Sequence, residues 1–167
     1  MTGTGLWLRL TAGSAAALSS VVLVPIPART GASSLATASL AGALGGIVLF
    51  SALARTAPRT GLEGWSRRDS TRSSFLVLWA GVEEILWRRL VLGGVASHAG
   101  WPAGLVTSTI AFAVTHRVGK SSHLVTGCAF GAAYLATGRL LAAIVMHATY
   151  NLLLDRALQR PVPGTAS

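Results

Sequence analysis

Glu83 and Glu84 stand side by side in FLVLWAGVEEILWRRLVLGGVA, an otherwise apolar run long enough to cross a bilayer, with Arg88 and Arg89 close behind. Each ion at the centre of a membrane helix costs roughly 2.5–3.5 kcal/mol even on lenient insertion scales. The chain has five acidic residues in all, and two of them sit here. Such a cluster is by default a functional site turned toward the protein interior. Glu84 and Arg88 are four apart with the acid first, the favourable order for an ion pair along one helix face. Adjacent helical residues point about 100° apart, so the two carboxylates are not expected to face the same partner. Glu83 has no partner in its own helix, since Trp87 stands four residues on. It is the carboxylate left over to serve as a general base. A buried Glu–Arg network without chemistry is the competing reading.

Two further constellations follow. Phe112-Ala-Val-Thr-His116 ends an apolar stretch, with Phe112 one turn before the histidine and placed to wall off one side of its ring. Alone, a histidine such as His116 is more often capped or interfacial than a ligand. His147-Ala-Thr-Tyr-Asn151 puts an imidazole and an amide on one helix face. Both can donate hydrogen bonds, and gluing two helices together is the alternative role. At about 1.5 Å per residue from the inner boundary, Glu83 and His147 lie at roughly 15 and 14 Å, one level of a bundle. His116 lies nearer the inner surface unless its helix tilts. Carboxylate, two imidazoles and an amide in one cavity make a water-activating site, with a base for the water and donors for a developing oxyanion. Neither Gly-x-Ser-x-Gly nor His-Glu-x-x-His occurs in the chain to compete.

Positioning these residues takes membrane helices. Of the 167 residues 51% are hydrophobic and 11% charged, and the mean hydropathy is +0.58. The expected fold is all-α, a polytopic bundle of about six transmembrane helices forming a single domain over 1–167. The helices are expected near Leu6–Val24, Ser33–Leu53, Ser74–Ala96, Ala103–Val118, His123–Ala136 and Leu140–Leu158, with the catalytic core over 74–156. Arg9 before the first apolar run resembles a secretion signal, but the run is about twenty residues and further spans follow, so an uncleaved first span is expected. The first helix is expected to stop at Pro25-Ile26-Pro27, and the polar stretch after the second to form an interfacial loop. His98 to Pro102 marks a turn. Gly42 with Gly46 and Gly127 with Gly131 have the spacing that lets two backbones approach, a packing feature with no specific function.

The formal charge is +9, yet its arginines are strung between apolar segments without a basic stripe, so nucleic acid is not expected as a partner. Placed by the positive-inside rule, Arg9, the arginines of the long loop, Arg117, Lys120, Arg156 and Arg160 face inward; only Arg29 and Arg139 face out. The protein is therefore expected to be multi-pass in the cell membrane, with both termini cytoplasmic. The single Cys128 excludes an internal disulfide and a cysteine zinc site. It is expected to be a packed core thiol.

Glu-Glu-x-x-x-Arg, Phe-x-x-x-His and His-x-x-x-Asn, in that order on successive helices over roughly Phe75 to Asp155, resemble the CAAX-protease and bacteriocin-processing family (CPBP, or Abi). Its members are intramembrane endopeptidases. The resemblance implies that Glu83 activates water with His116 beside it, that His147 and Asn151 steady the oxyanion, and that Glu84 with Arg88 holds the site together. The family is described both as metalloproteases and as metal-independent glutamic proteases. A zinc ion on Glu83, His116 and His147 is thus one expectation. A metal-free site is the preferred one, because Asn151 is a poor zinc ligand and a good donor. Many members carry glycine where this chain has Arg89, which either alters the helix end or adds a substrate contact. With about two helices before the core, a partner or a second copy is expected to supply substrate docking. The expected substrate is a leader peptide or membrane-associated protein. Abundant Ala, Gly and Arg with a single Lys point to a GC-rich bacterial genome, where prenylated tails are not expected. A non-catalytic immunity or scaffold protein of the same architecture is the alternative, and such relatives would be expected to lack one of these polar residues. A proton-coupled transporter using Glu83 is disfavoured for want of an inverted repeat.

Overall fold

A computed structural model describes residues 3–23, 33–54 and 70–158. Within them all regular structure is helical: α1 (Gly3–Leu23), α2 (Leu35–Leu53), α3 (Ser70–Glu84), a π-helical segment (Ile85–Leu92), α4 (Gly93–Thr115), α5 (Lys120–Thr137) and α6 (Leu140–Leu158). The Pro25–Pro27 turn, the polar stretch 55–69 and Arg160 lie outside the described residues.

Local signals set most of the ends. Ser34 caps α2 by accepting a hydrogen bond from the Thr37 backbone N–H at 3.1 Å, which satisfies one of the donors left over at a helix start. Gly138 closes α5 in the left-handed conformation at φ 66°, where a side chain would be strained. The expected turn at His98–Pro102 appears as a kink at Gly100, with φ 82° and ψ 163°. Pro102 then falls in the first turn after the break, where its missing N–H costs least. The segment expected as one α-helix through Ala96 instead widens into π-helix at Ile85–Leu92. ILWRRLVL is composed of ordinary α-helix formers, and nothing in it marks that change. Helices of the π type are rare and tend to lie at functional sites.

α6 is the centre of the assembly, packed by α2, α3 and α5. Its contact with α2 depends on glycine. A Cβ on Gly42 would sit 2.5 Å from the Ala142 carbonyl oxygen, and one on Gly46 would sit 2.7 Å from that of Met146. Backbone therefore meets backbone there, as the small-residue spacing predicts. Gly127 and Gly131 do something different, receiving the side chains of Phe112 and Leu105 from α4. A main cluster of Leu49, Leu92, Phe112, Phe130, Tyr134, Ala143, Met146 and Tyr150 fills the bundle. A smaller one, Leu6, Leu10, Ala17, Phe75 and Val82, fastens α1 onto α3.

The polarity is inverted relative to a water-soluble domain. Glu84, Arg88, Ser108, Thr126 and His147 are buried, while Leu8, Val22, Leu40, Val48, Ile110 and Val114 are exposed. Two helices are long and apolar enough to cross a membrane by composition, Gly5–Leu23 and Leu35–Leu53. The later helices are less apolar partly because they carry the polar interior: α6 alone holds His147, Asn151, Asp155 and Arg156. Cys128 is a correction to the sequence reading. It is exposed, because α5 buries the face of Thr126, Gly127, Phe130, Gly131 and Tyr134 and turns Cys128 away.

Candidate active site

α3 and α6 run antiparallel, and two polar contacts fix their register. Toward one end Arg72 forms an ion pair with Asp155, both largely buried. Further along, Glu84 Oε1 accepts a hydrogen bond from Nδ1 of His147 at 2.9 Å. The other oxygen of Glu84 accepts from Nε of Arg88, also at 2.9 Å, and Arg88 Nη1 donates to Ser108 Oγ at 3.0 Å. Glu84 and Arg88 are completely buried, and the guanidinium lies over the Phe112 ring, 5.4 Å from its centroid. A carboxylate so enclosed is neutralised by a cation and a ring N–H, and has no free edge for a substrate.

Glu83 is in the opposite situation. His147 Nε2 stands 3.6 Å from its Oε2, and His116 Nε2 stands 3.8 Å from its Oε1. Both separations exceed the 2.7–3.2 Å of a direct hydrogen bond, so the lone pairs facing the two histidines remain available. The Trp79 side chain, one turn earlier, hydrogen-bonds the same carboxylate. The Glu83 side chain keeps 12% of its surface exposed, against none for Glu84. One imidazole therefore faces both carboxylates, bonded to Glu84 and just beyond bonding distance of Glu83, contrary to the expectation that they would not face the same partner. The reason is that Nδ1 and Nε2 lie on different edges of the ring, so residues pointing in different directions can each meet one nitrogen.

The ring orientations are fixed by their neighbours. His147 stacks on Phe130, with centroids 4.4 Å apart and planes 17° from parallel. His116 donates Nδ1–H to the Phe112 carbonyl at 2.7 Å and lies 4.6 Å from the Phe112 ring. α4 ends at Thr115. His116 itself adopts extended backbone angles (φ −89°, ψ 129°). Asn151 is half-buried one turn beyond His147 and makes no side-chain hydrogen bond among the described residues. Arg89 turns away from this group and donates to the carbonyl oxygens of Ser20 and Val21 at 3.4 and 3.3 Å. These belong to the last turn of α1, where backbone acceptors lack helical partners.

Several contributors were missed in the sequence. Trp79 stands four residues before Glu83, the same i,i+4 logic read in the other direction. His123, seven residues after His116, stacks on it across the α4–α5 turn. Asp155, one of five acidic residues, stands two turns past His147 on the same buried face, and that was the available signal. Among the described residues no three His, Cys, Asp or Glu side chains are placed to hold a metal ion.

α3 packs on α1 and α6, whereas α4 packs on α5 and the π-helical segment. Glu83 lies in the last turn of α3, and His116 follows the end of α4. A family model described as Rce1-like, type II CAAX prenyl endopeptidase, matches residues 72–153, a span holding all three motifs. No curated protein and no solved structure matches the chain.

Proposed function

Because the chain belongs, through residues 72–153, to the Rce1-like family of type II CAAX prenyl endopeptidases, we propose that it is an intramembrane endopeptidase in which Glu83 activates the attacking water. The observation that carries this reading is the division of labour between the two carboxylates. Glu84 is consumed by Arg88 and His147. Glu83 keeps a small exposed edge and has both imidazole Nε2 atoms just beyond bonding distance. A gap of 3.6–3.8 Å between polar groups accommodates a water that touches more than one of them.

In the proposed reaction Glu83 takes a proton from that water as its oxygen adds to the scissile carbonyl carbon. The carbonyl oxygen becomes an oxyanion, stabilised by Asn151 and by His147. The proton held on Glu83 then passes to the leaving amide nitrogen as the C–N bond breaks, which regenerates the carboxylate. His116 borders the water, while Glu84, Arg88 and Ser108 keep His147 in place without touching substrate. No step requires a metal.

The same reading assigns the bundle to the membrane as a multi-pass protein with about six spans and both termini cytoplasmic. The exposed Val106, Ile110 and Val114 of α4 and Leu124 and Val125 of α5 support lipid contact beyond the two most apolar helices. The substrate is a membrane-associated peptide segment that reaches Glu83. Purified protein incubated with a library of membrane-anchored peptides should yield discrete cleavage products by mass spectrometry. Glu83→Gln protein should yield none. Equal products from both proteins would overturn the assignment.

A further inference from the structure

His123 has no part in the reaction above, yet its ring lies face to face with that of His116, with centroids 3.9 Å apart and planes 20° from parallel. The local chain is built to bring this about. Gly119 adopts left-handed angles, φ 68° and ψ 34°, at the start of α5. The four residues from His116 to Gly119 thereby reverse direction, and the first turn of α5 folds back over the end of α4. His123 then donates Nδ1–H to the Gly119 carbonyl at 2.7 Å, which pins its own ring. Phe112 completes the enclosure, 4.6 Å from His116 and 5.8 Å from His123.

His116 needs such support more than the other site residues do. It lies where the helix has already ended, and its side chain is 27% exposed, against 5% for His147. One hydrogen bond, from Nδ1 to the Phe112 carbonyl, holds one edge of the ring but leaves rotation about that contact open. We propose that His123 is a positioning residue whose imidazole face closes the exposed side of His116 and holds its Nε2 toward Glu83. The ring between Phe112 and His123 then has one orientation available. This rests on the assignment of His116 to the reacting site, and the role is one of shape: a flat aromatic ring supplies it whether or not it bears nitrogen. Stacked and tilted aromatic pairs prefer such geometries, and a misplacement of about 1 Å at a reacting group costs on the order of 100-fold.

The test compares His123→Ala, His123→Leu and His123→Phe in the full-length protein. The Ala and Leu variants should lose about tenfold in kcat, part of the ~100-fold cost of a full 1 Å displacement, with KM within about twofold. His123→Phe should recover most of the loss. Unchanged kcat in His123→Ala, or a Phe variant as slow as the Ala variant, overturns the proposal. A second readout does not depend on turnover. In histidine-labelled protein, the His116 ring protons should show an upfield ring-current shift, assigned with a His116→Asn variant. That shift should shrink in His123→Ala to the part contributed by Phe112, 4.6 Å away, and persist in His123→Phe. An unchanged shift in His123→Ala overturns the proposal. If wild-type protein shows no Glu83-dependent cleavage, the peptidase reading fails, and the resonance comparison still decides whether His123 orients His116.

Discussion

Glu84 is expected to be more damaging to lose for folding than Glu83, and the size of the effect follows from its contacts. Removing its side chain in Glu84→Ala leaves the Arg88 guanidinium fully buried with Ser108 as its hydrogen-bond partner, while Nη2 already lacks one. It also strips the acceptor from His147 Nδ1. Breaking a buried pair by deleting one member costs about 3–5 kcal/mol, chiefly through the charge left behind. Arg88→Ala should cost a similar amount by stranding the carboxylate. Independent losses would sum to roughly 6–10 kcal/mol. In the double variant no charge is stranded, and the group left without a partner is His147 Nδ1, at about 1–3 kcal/mol, since Ser108 Oγ still donates to the Leu105 carbonyl at 3.4 Å. The coupling should therefore reach or exceed the upper end of the ~0.5–3 kcal/mol usual for contacting residues. Equilibrium unfolding in mixed detergent micelles measures all four corners of the cycle. The double variant should regain stability without regaining cleavage, because His147 remains unanchored. Losses that add to within about 0.5 kcal/mol would refute the pairing argument.

Glu83→Gln should reduce cleavage by about 10²–10⁴-fold, the usual effect of losing a general base, with an unfolding midpoint close to wild type; near-normal turnover would contradict the mechanism. Asn151→Ala should lower kcat by roughly 10²–10³-fold if the amide is an oxyanion donor, and a change confined to KM would argue for substrate contact instead. Treatment with a chelator should leave turnover unaltered, whereas stoichiometric zinc removed together with activity would overturn the metal-free assignment. Gly46→Val should lower the unfolding midpoint by the equivalent of about 1–3 kcal/mol, the usual cost of overpacking, since its side chain would enter the space of the Met146 carbonyl and Thr149. With Cys128 replaced, a cysteine at Ser121 should resist an impermeant thiol reagent until cells are lysed, and one at Ala99 should react in intact cells; the reverse pattern would invert the topology.

What could be read from the chain beforehand was mostly local. The Glu84–Arg88 pair depends on a four-residue spacing within one helix, and that spacing brings the two side chains together in the π-helical segment as well. The helix ends at Ser34 and Gly100 follow from side-chain capping and from glycine's access to positive φ. Contacts between helices were harder to see. The Arg72–Asp155 pair joins residues 83 positions apart, and no periodicity links them. The sharing of His147 between two carboxylates depends on the two edges of a ring, which an argument from helical angles does not consider. His123 was overlooked because it was counted as a helix start, and only the turn at Gly119 turns that start back onto His116. Cys128 was misplaced because an apolar neighbourhood in sequence does not say which side of a membrane helix meets protein and which meets lipid.

The unequal enclosure of Glu83 and Glu84 has a consequence for how such a protein changes by genetic drift. Glu84 is tied to both neighbours that hold the bundle's polar centre, so its loss is felt by every copy of the protein that must fold. Glu83 touches Trp79 and stays partly exposed, so a chain released from selection for cleavage can exchange it at little structural cost. Descendants that keep the architecture for another purpose should therefore retain the acid at 84 and the base at 88 long after position 83 has become neutral. A membrane protein with the second carboxylate and the arginine but not the first would then be a former peptidase that still folds like one.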